Sequence, residues 1–139
     1  MRLAMSDGQS VYEAIGGEAG VHKLVDRFYG LMDTLPEGKA ARAIHPADLT
    51  DSNQKLFEYF SGWLGGPQLF VERRGPPMLR ARHLHAPIAA PEIESWLFCF
   101  MQAWREIVGH RPEIDELVLP QIHSLAQHMR NREDAKPSM

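Results

Sequence analysis

A single cysteine, Cys99, stands in the whole chain of 139 residues, so no disulfide can close within it. It sits inside the apolar run SWLFCFMQAW, where a small buried hydrophobe is the plain reading and a reducing compartment, the cytoplasm, is the expected setting. An excess of positive charge is missing too. The 15 Lys and Arg are outnumbered by 18 Asp and Glu, giving a net charge of −3 spread along the chain. No face stands ready to neutralise phosphates, and nucleic acid is not an expected partner. No apolar run approaches the ~20 residues a membrane span needs, and the opening MRLAMSDGQS lacks an apolar stretch long enough for a signal peptide; the expectation is a soluble protein with no membrane partner. Sustained alternation with period two is absent, which removes the signature of a half-buried strand, and no internal repeat is visible.

What is present is helical periodicity. After the Gly16-Gly17 break, Val21, Leu24, Val25, Phe28 and Met32 recur at helical spacing until Pro36. A corner punctuated by Pro36 and Pro46 follows, and Thr50 or Asp51 is placed to cap a second long helix carrying Leu56, Tyr59, Phe60 and Trp63 as far as Gly65-Gly66-Pro67. From Gln68 to Ala90 the periodicity fails, and a structured loop is expected with a turn or two of helix around Met78 to His85. Pro91 suits the first position of a third helix, whose stripe of Ile93, Trp96, Leu97, Phe100, Trp104, Ile107 and Val108 is the clearest in the chain. A last amphipathic helix follows Pro112, with Pro120 expected to kink or split it. The prediction is one all-α domain over residues 1–131 with a polar, disordered tail at 132–139. At this length folding removes roughly 68% of the unfolded chain's surface from water, enough for a core that encloses something.

RARHLHAPI, residues 80–88, carries His83 and His85 one residue apart. On a helix, positions i and i+2 project about 200° apart, so both cannot face one site and at most one is expected to be a ligand. Seven scattered histidines and one buried cysteine make no zinc cluster. A lone inward histidine is instead what a b-type heme takes as axial ligand, and a four-helix domain interrupted by a loop offers room for one. The local pattern leaves open that both are surface or capping histidines.

The stretch FEYFSGWLGGPQLFVERRGPPMLRARHLHAPIAAPEIESWLFCFMQAW resembles the core of a group II truncated hemoglobin. The family's opening resembles YEAIGGEAGVHKLVDRFYGLM, its corner HPADL and its close LAQHMRN, in the same order over about residues 11 to 131. The resemblance implies a two-over-two helical sandwich around heme b, with the proximal histidine ending a run like LRARH, which is His83. It implies that Tyr29, His45, Ser52, Leu56 and Trp96 lie on the distal, ligand-binding side, that Lys55 and Arg82 meet the heme propionates, and that Phe28 contacts the cofactor. One departure is Gly75-Pro76-Pro77, where the family often reads Gly-His-Pro, which leaves the hydrogen bonds and stiffness of that loop open. Tight binding of O2 and of ligands such as NO, CO or peroxide is the implied activity. Redox chemistry on nitric oxide or peroxide, a reductase partner, and a monomer or homodimer all stay open. A heme-based sensor or partner-binding helical module is the rival reading, and a cofactor-free helical domain is a third.

Overall fold

Glycine opens the first long helix. Gly16 and Gly17 take φ of 111° and 64°, a left-handed region that residues with a Cβ avoid, and the chain reverses there from α1 (Val11–Ala14) into α2 (Gly17–Thr34). The computed structural model describes residues 4, 5 and 8–133; among these are eight helices and no strand, only an isolated bridge between Ala4 and Ser10. After α2 come a 3-10 turn at Pro36–Gly38, then α3 (Lys39–Ala43), α4 (Thr50–Trp63), α5 (Leu69–Arg74), α6 (Leu79–Arg82), α7 (Ala90–Ile107) and α8 (Pro112–His128).

Four of these are long, as the periodicity predicts, and they form two pairs. α2 packs on α4, α7 packs on α8, and α2 crosses α7 between the pairs. The apolar stripe of α7 meets that of α2 in a chain of aromatic contacts. Phe28 lies edge-on to Trp96 (4.9 Å between centroids) and to Phe100 (6.5 Å), and Phe60 of α4 lies edge-on to Phe100 (5.9 Å). Phe28, Phe60, Phe100 and Trp104 are fully buried, and such edge-to-face pairs add about 0.5–1.5 kcal/mol each beyond their area. The two-over-two helical sandwich and the all-α class are what the sequence implied.

Several local expectations are corrected. Neither Thr50 nor Asp51 caps α4. Asp48 does so from outside, its Oδ1 accepting the Thr50 N–H at 2.9 Å, with Thr50 as the first helical residue. α7 starts one residue before Pro91, and Glu92 accepts the N–H of Ala89 at 2.8 Å. Pro120 does not split α8, which runs unbroken from Pro112 to His128. The stretch from Gln68 to Ala90 holds the turn of helix expected around Met78 to His85, as α6, but also a short helix that was not expected, α5, too brief for a period to show. The expected tail lies outside the described residues from 134 onward, while the N–H of Arg132 donates to the carbonyl of Ile88 at 3.0 Å.

The turn between α5 and α6, where Gly75-Pro76-Pro77 stands, is held by Arg82. Arg82 donates from Nη2 to the carbonyls of Arg74 (2.9 Å) and Pro76 (3.0 Å) while its guanidinium lies 5.1 Å from the centre of the Phe70 ring. Arg74 in turn is fixed by Glu58, a carboxylate 2% exposed that takes Nε of Arg74 at 2.6 Å, Nη1 of Arg73 at 3.0 Å and Nε2 of Gln54 at 2.9 Å. Burial alone would raise its pKa. The three donors more than offset that and hold it at about 2.

Candidate ligand-binding cavity

Helical spacing collects the walls of one cavity of about 460 Å³ between the two helix pairs. α4 contributes Ser52, Lys55, Leu56 and Tyr59, which stand at i, i+3, i+4 and i+7 and so share a face. α6 contributes Leu79, Arg82 and the adjoining His83 on the same principle, and the turn after it adds His85, Ala86 and Ile88. Ile93 and Trp96 come from α7, Leu125 and Ala126 from α8, with Met129 just beyond it, and His45 from the corner after α3. Tyr29 reaches in from α2.

His83 is the C-cap residue of α6, and its Nδ1 lies 2.7 Å from the Leu79 carbonyl one turn back. A carbonyl only accepts, so Nδ1 carries the proton and Nε2 is left as a lone pair. His83 is exposed at the cavity surface, yet the protein around its ring disfavours the charged form and lowers its pKa; the Leu79 bond opposes this, and His85 and Lys55 add to the lowering, so the neutral form is favoured. That is the state in which imidazole ligates a metal. No cluster of three or more histidine, cysteine or acidic side chains suited to a metal ion exists among the described residues. An imidazole so prepared, outside any such cluster and on a largely apolar wall, fits a metal whose other ligands come from a macrocycle, as in heme.

The tryptophans of α7 differ in one respect. Trp104 is buried in the core and gives its indole N–H to Asp115 Oδ1 at 2.7 Å. Trp96, stacked on Phe100 with centroids 5.7 Å apart and planes 4° from parallel, has no acceptor for its N–H among the described residues, and that nitrogen is not fully buried. Tyr29 is 7% exposed. Its hydroxyl reaches the Ser52 carbonyl at 3.3 Å, long for an O–H donor, and burial raises its pKa so that it stays a neutral phenol. His45 repeats the arrangement of His83: Nδ1 is 2.6 Å from the Ala41 carbonyl, and burial lowers its pKa.

A family model for bacterial-like globins matches residues 10–131. The chain is 39% identical over 125 residues to the group 2 truncated hemoglobin YjbI of Bacillus subtilis, covering 90% of this chain and 91% of that one. The chain belongs to the group II truncated hemoglobins. Among solved structures, the group II 2-on-2 hemoglobin of the plant pathogen Agrobacterium tumefaciens superposes with a TM-score of 0.86 at 47% identity, over 93% of this chain and 98% of that one. A truncated oxygen-avid haemoglobin from Bacillus subtilis gives 0.79 at 38% identity, over 88% of this chain and all of that one (100%). A truncated hemoglobin uses heme and binds small gaseous ligands such as O2.

Set in this hemoglobin, the residues singled out in the sequence converge, with one exception. Tyr29, His45, Ser52, Lys55, Leu56, Arg82, His83 and Trp96 all line the cavity. Phe28 does not. It is fully buried one layer behind, edge-on to both Tyr29 and Trp96, so it supports two wall residues without being one. Lys55 sits at the rim with Asp51 at 2.7 Å, an exposed pair worth little by itself. His85 lines the same cavity as His83, against the expectation from i, i+2 spacing. The 100° step applies only within a helix, and α6 ends at Arg82, so His85 belongs to the turn. Tyr59 was missed as a wall residue, although its place on the face of Ser52 and Leu56 was a readable signal. Phe70, Ile88, Leu125 and Met129 gave no such signal, because they reach the cavity through the tertiary fold.

Proposed function

We propose that this truncated hemoglobin carries heme b on Nε2 of His83 and retains O2 and related diatomic ligands through hydrogen bonds donated by Trp96 and Tyr29. The observation that carries the reading is that Trp96, which lines the cavity, has an indole N–H with no acceptor among the described residues, while that of Trp104 is satisfied within the fold. When bound, heme supplies a ferrous iron with a coordination position for a diatomic ligand, kept reduced by a reductase partner.

The chain's own residues do the rest. His83 offers a lone pair whose direction is set by the Leu79 carbonyl. Trp96 offers from α7 a donor with no bond to give up among the described residues, so little reorganisation opposes its bond to a ligand, while Tyr29 on α2 turns its hydroxyl from a long contact with the Ser52 carbonyl. Ser52, with a small side chain, leaves the α4 wall open between them. Lys55 and Arg82 bring positive charge to the cavity wall, where they would meet the carboxylates of heme b. Ile44, Leu56, Ile88 and Ile93 keep the walls largely apolar and limit water. The reading favours holding a ligand over delivering it, in a cytoplasmic protein. Redox turnover of nitric oxide or peroxide at the same site is compatible with these donors.

Stopped-flow release of O2 from Tyr29→Phe and Trp96→Phe tests it. At about 1.4 kcal/mol per hydrogen bond each change speeds release roughly tenfold. Release rates equal to the parent's in both variants contradict the proposal.

A further inference from the structure

The segment that carries His83 is tied upstream by Arg82, through the Arg74 and Pro76 carbonyls and the Phe70 ring, but has little side-chain packing of its own. α6 is four residues long and has no buried residue of its own, and a helix this short does not sustain itself. After His83 the backbone leaves helical geometry, and its next firm anchors are Ala86 and Ile88, each 6% exposed. An imidazole can direct a lone pair only as well as its backbone is fixed. The direction of Nε2 therefore depends on contacts from elsewhere in the fold.

Asn131, beyond the end of α8, makes those contacts. Its Nδ2 donates to the carbonyl of His83 at 3.1 Å and to that of Ala86 at 2.9 Å. Its Oδ1 accepts the N–H of Ile88 at 3.0 Å. Its own backbone N–H, and that of Arg132, donate to the Ile88 carbonyl at 2.9 and 3.0 Å. Exchanging amide oxygen and nitrogen would set an oxygen against two carbonyls and a nitrogen against an N–H, so the partners fix the orientation. One side chain thus satisfies three backbone groups of the turn, and one of them belongs to His83 itself.

We propose that Asn131 is a positioning residue for the iron-ligating imidazole, clasping the turn after His83 to the end of α8 and thereby fixing the direction of Nε2. The inference rests on the reading of His83 as the heme ligand. It gives the last described residues of the chain a part in the geometry of a site they do not line.

The test uses the full chain loaded with heme, as Asn131→Ala and Asn131→Asp, beside Ile122→Val as a control that loosens a fully buried position of α8 without touching the turn. Asn131→Asp keeps the acceptor for Ile88 and loses both donated bonds. Three readouts apply: the iron–imidazole stretching band of the ferrous protein, the rate of heme transfer to an excess of a scavenging apoglobin, and proton exchange at His83 Nδ1 in heme-free protein. Both Asn131 variants are expected to broaden or shift the band, to hasten Nδ1 exchange, and to transfer heme faster by on the order of tenfold, the effect of losing one or two ordinary hydrogen bonds. Ile122→Val is expected to lower Tm and leave the band in place. The proposal is overturned if the Asn131 variants follow the control, with Tm falling and band, transfer and exchange unchanged. Should Asn131→Ala fail to fold, Asn131→Asp decides by the same readouts. A parent protein whose band survives His83→Ala would sink the heme-ligand reading instead, an outcome distinct from either.

Discussion

The imidazoles of His45 and His83 are built alike: each sets Nδ1 against the carbonyl four residues earlier, Ala41 at 2.6 Å and Leu79 at 2.7 Å, and each lines the same cavity. Both are thereby left with Nε2 as an acceptor. For His83 that is the requirement of a metal ligand. For His45 it means that, while neutral, the ring has no second proton to give to a bound ligand.

His45→Leu is accordingly expected to change O2 release by less than about threefold, well below the effect of losing a hydrogen bond at Trp96. Ligand release measured by stopped flow checks this. A tenfold acceleration in His45→Leu would show that His45 donates, and the tautomer drawn from its Ala41 contact would be wrong.

On the proposed reading, Trp96 and Trp104, eight residues apart on α7, separate ligand binding from stability. Trp104→Phe leaves Asp115 Oδ1 without its indole donor and opens space in the core, so it is expected to destabilise the fold by about 1–3 kcal/mol while O2 release stays at the parent's rate. Urea unfolding of the variant and its ligand kinetics give the two answers together. Faster release from Trp104→Phe with unaltered stability would reverse the roles assigned here.

Glu58 gives the fold an acid limit. Its pKa is held at about 2, below its ordinary value of 4.5, so its contribution is fully present above about pH 4.5 and is lost as the pH falls toward 2. Glu58→Gln is expected to cost on the order of 2–4 kcal/mol near neutrality, since it also leaves Arg74 without its carboxylate, and the gap between parent and variant should close across that acid window. Urea unfolding at a series of pH values measures it. A gap that stays constant down to pH 2 would mean the carboxylate is not what the arginines stabilise.

Periodicity made α2, α4, α7 and α8 legible because each buries one stripe, and Val21, Leu24, Phe28, Ile93, Phe100 and Trp104 are indeed core. It could not show α5, whose six residues complete too few turns to set a pattern, and it placed the single turn of α6 only within the broader span from Met78 to His85. It also misjudged the pair at 83 and 85 by extending helical geometry past the end of α6. Ser95 was invisible for another reason. It lies on the apolar stripe of α7, yet its hydroxyl is buried, accepting from the Ala41 N–H at 3.0 Å and donating to the Glu37 carbonyl at 2.7 Å, and so ties α7 to the segment leading to His45. Bonds between segments 54 and 58 residues apart leave no mark in local sequence. The clasp by Asn131 escaped notice in the same way, across the 48 residues that separate it from His83.

The proposed site holds iron at position 83 and not at 85. Resonance Raman spectra of the ferrous protein, taken without added ligand for His83→Ala and His85→Ala, distinguish the two. His83→Ala is expected to lose the iron–imidazole stretching band and to regain one with free imidazole, while His85→Ala keeps the parent's band. Loss of the band in His85→Ala with its retention in His83→Ala would place the ligand at 85 instead.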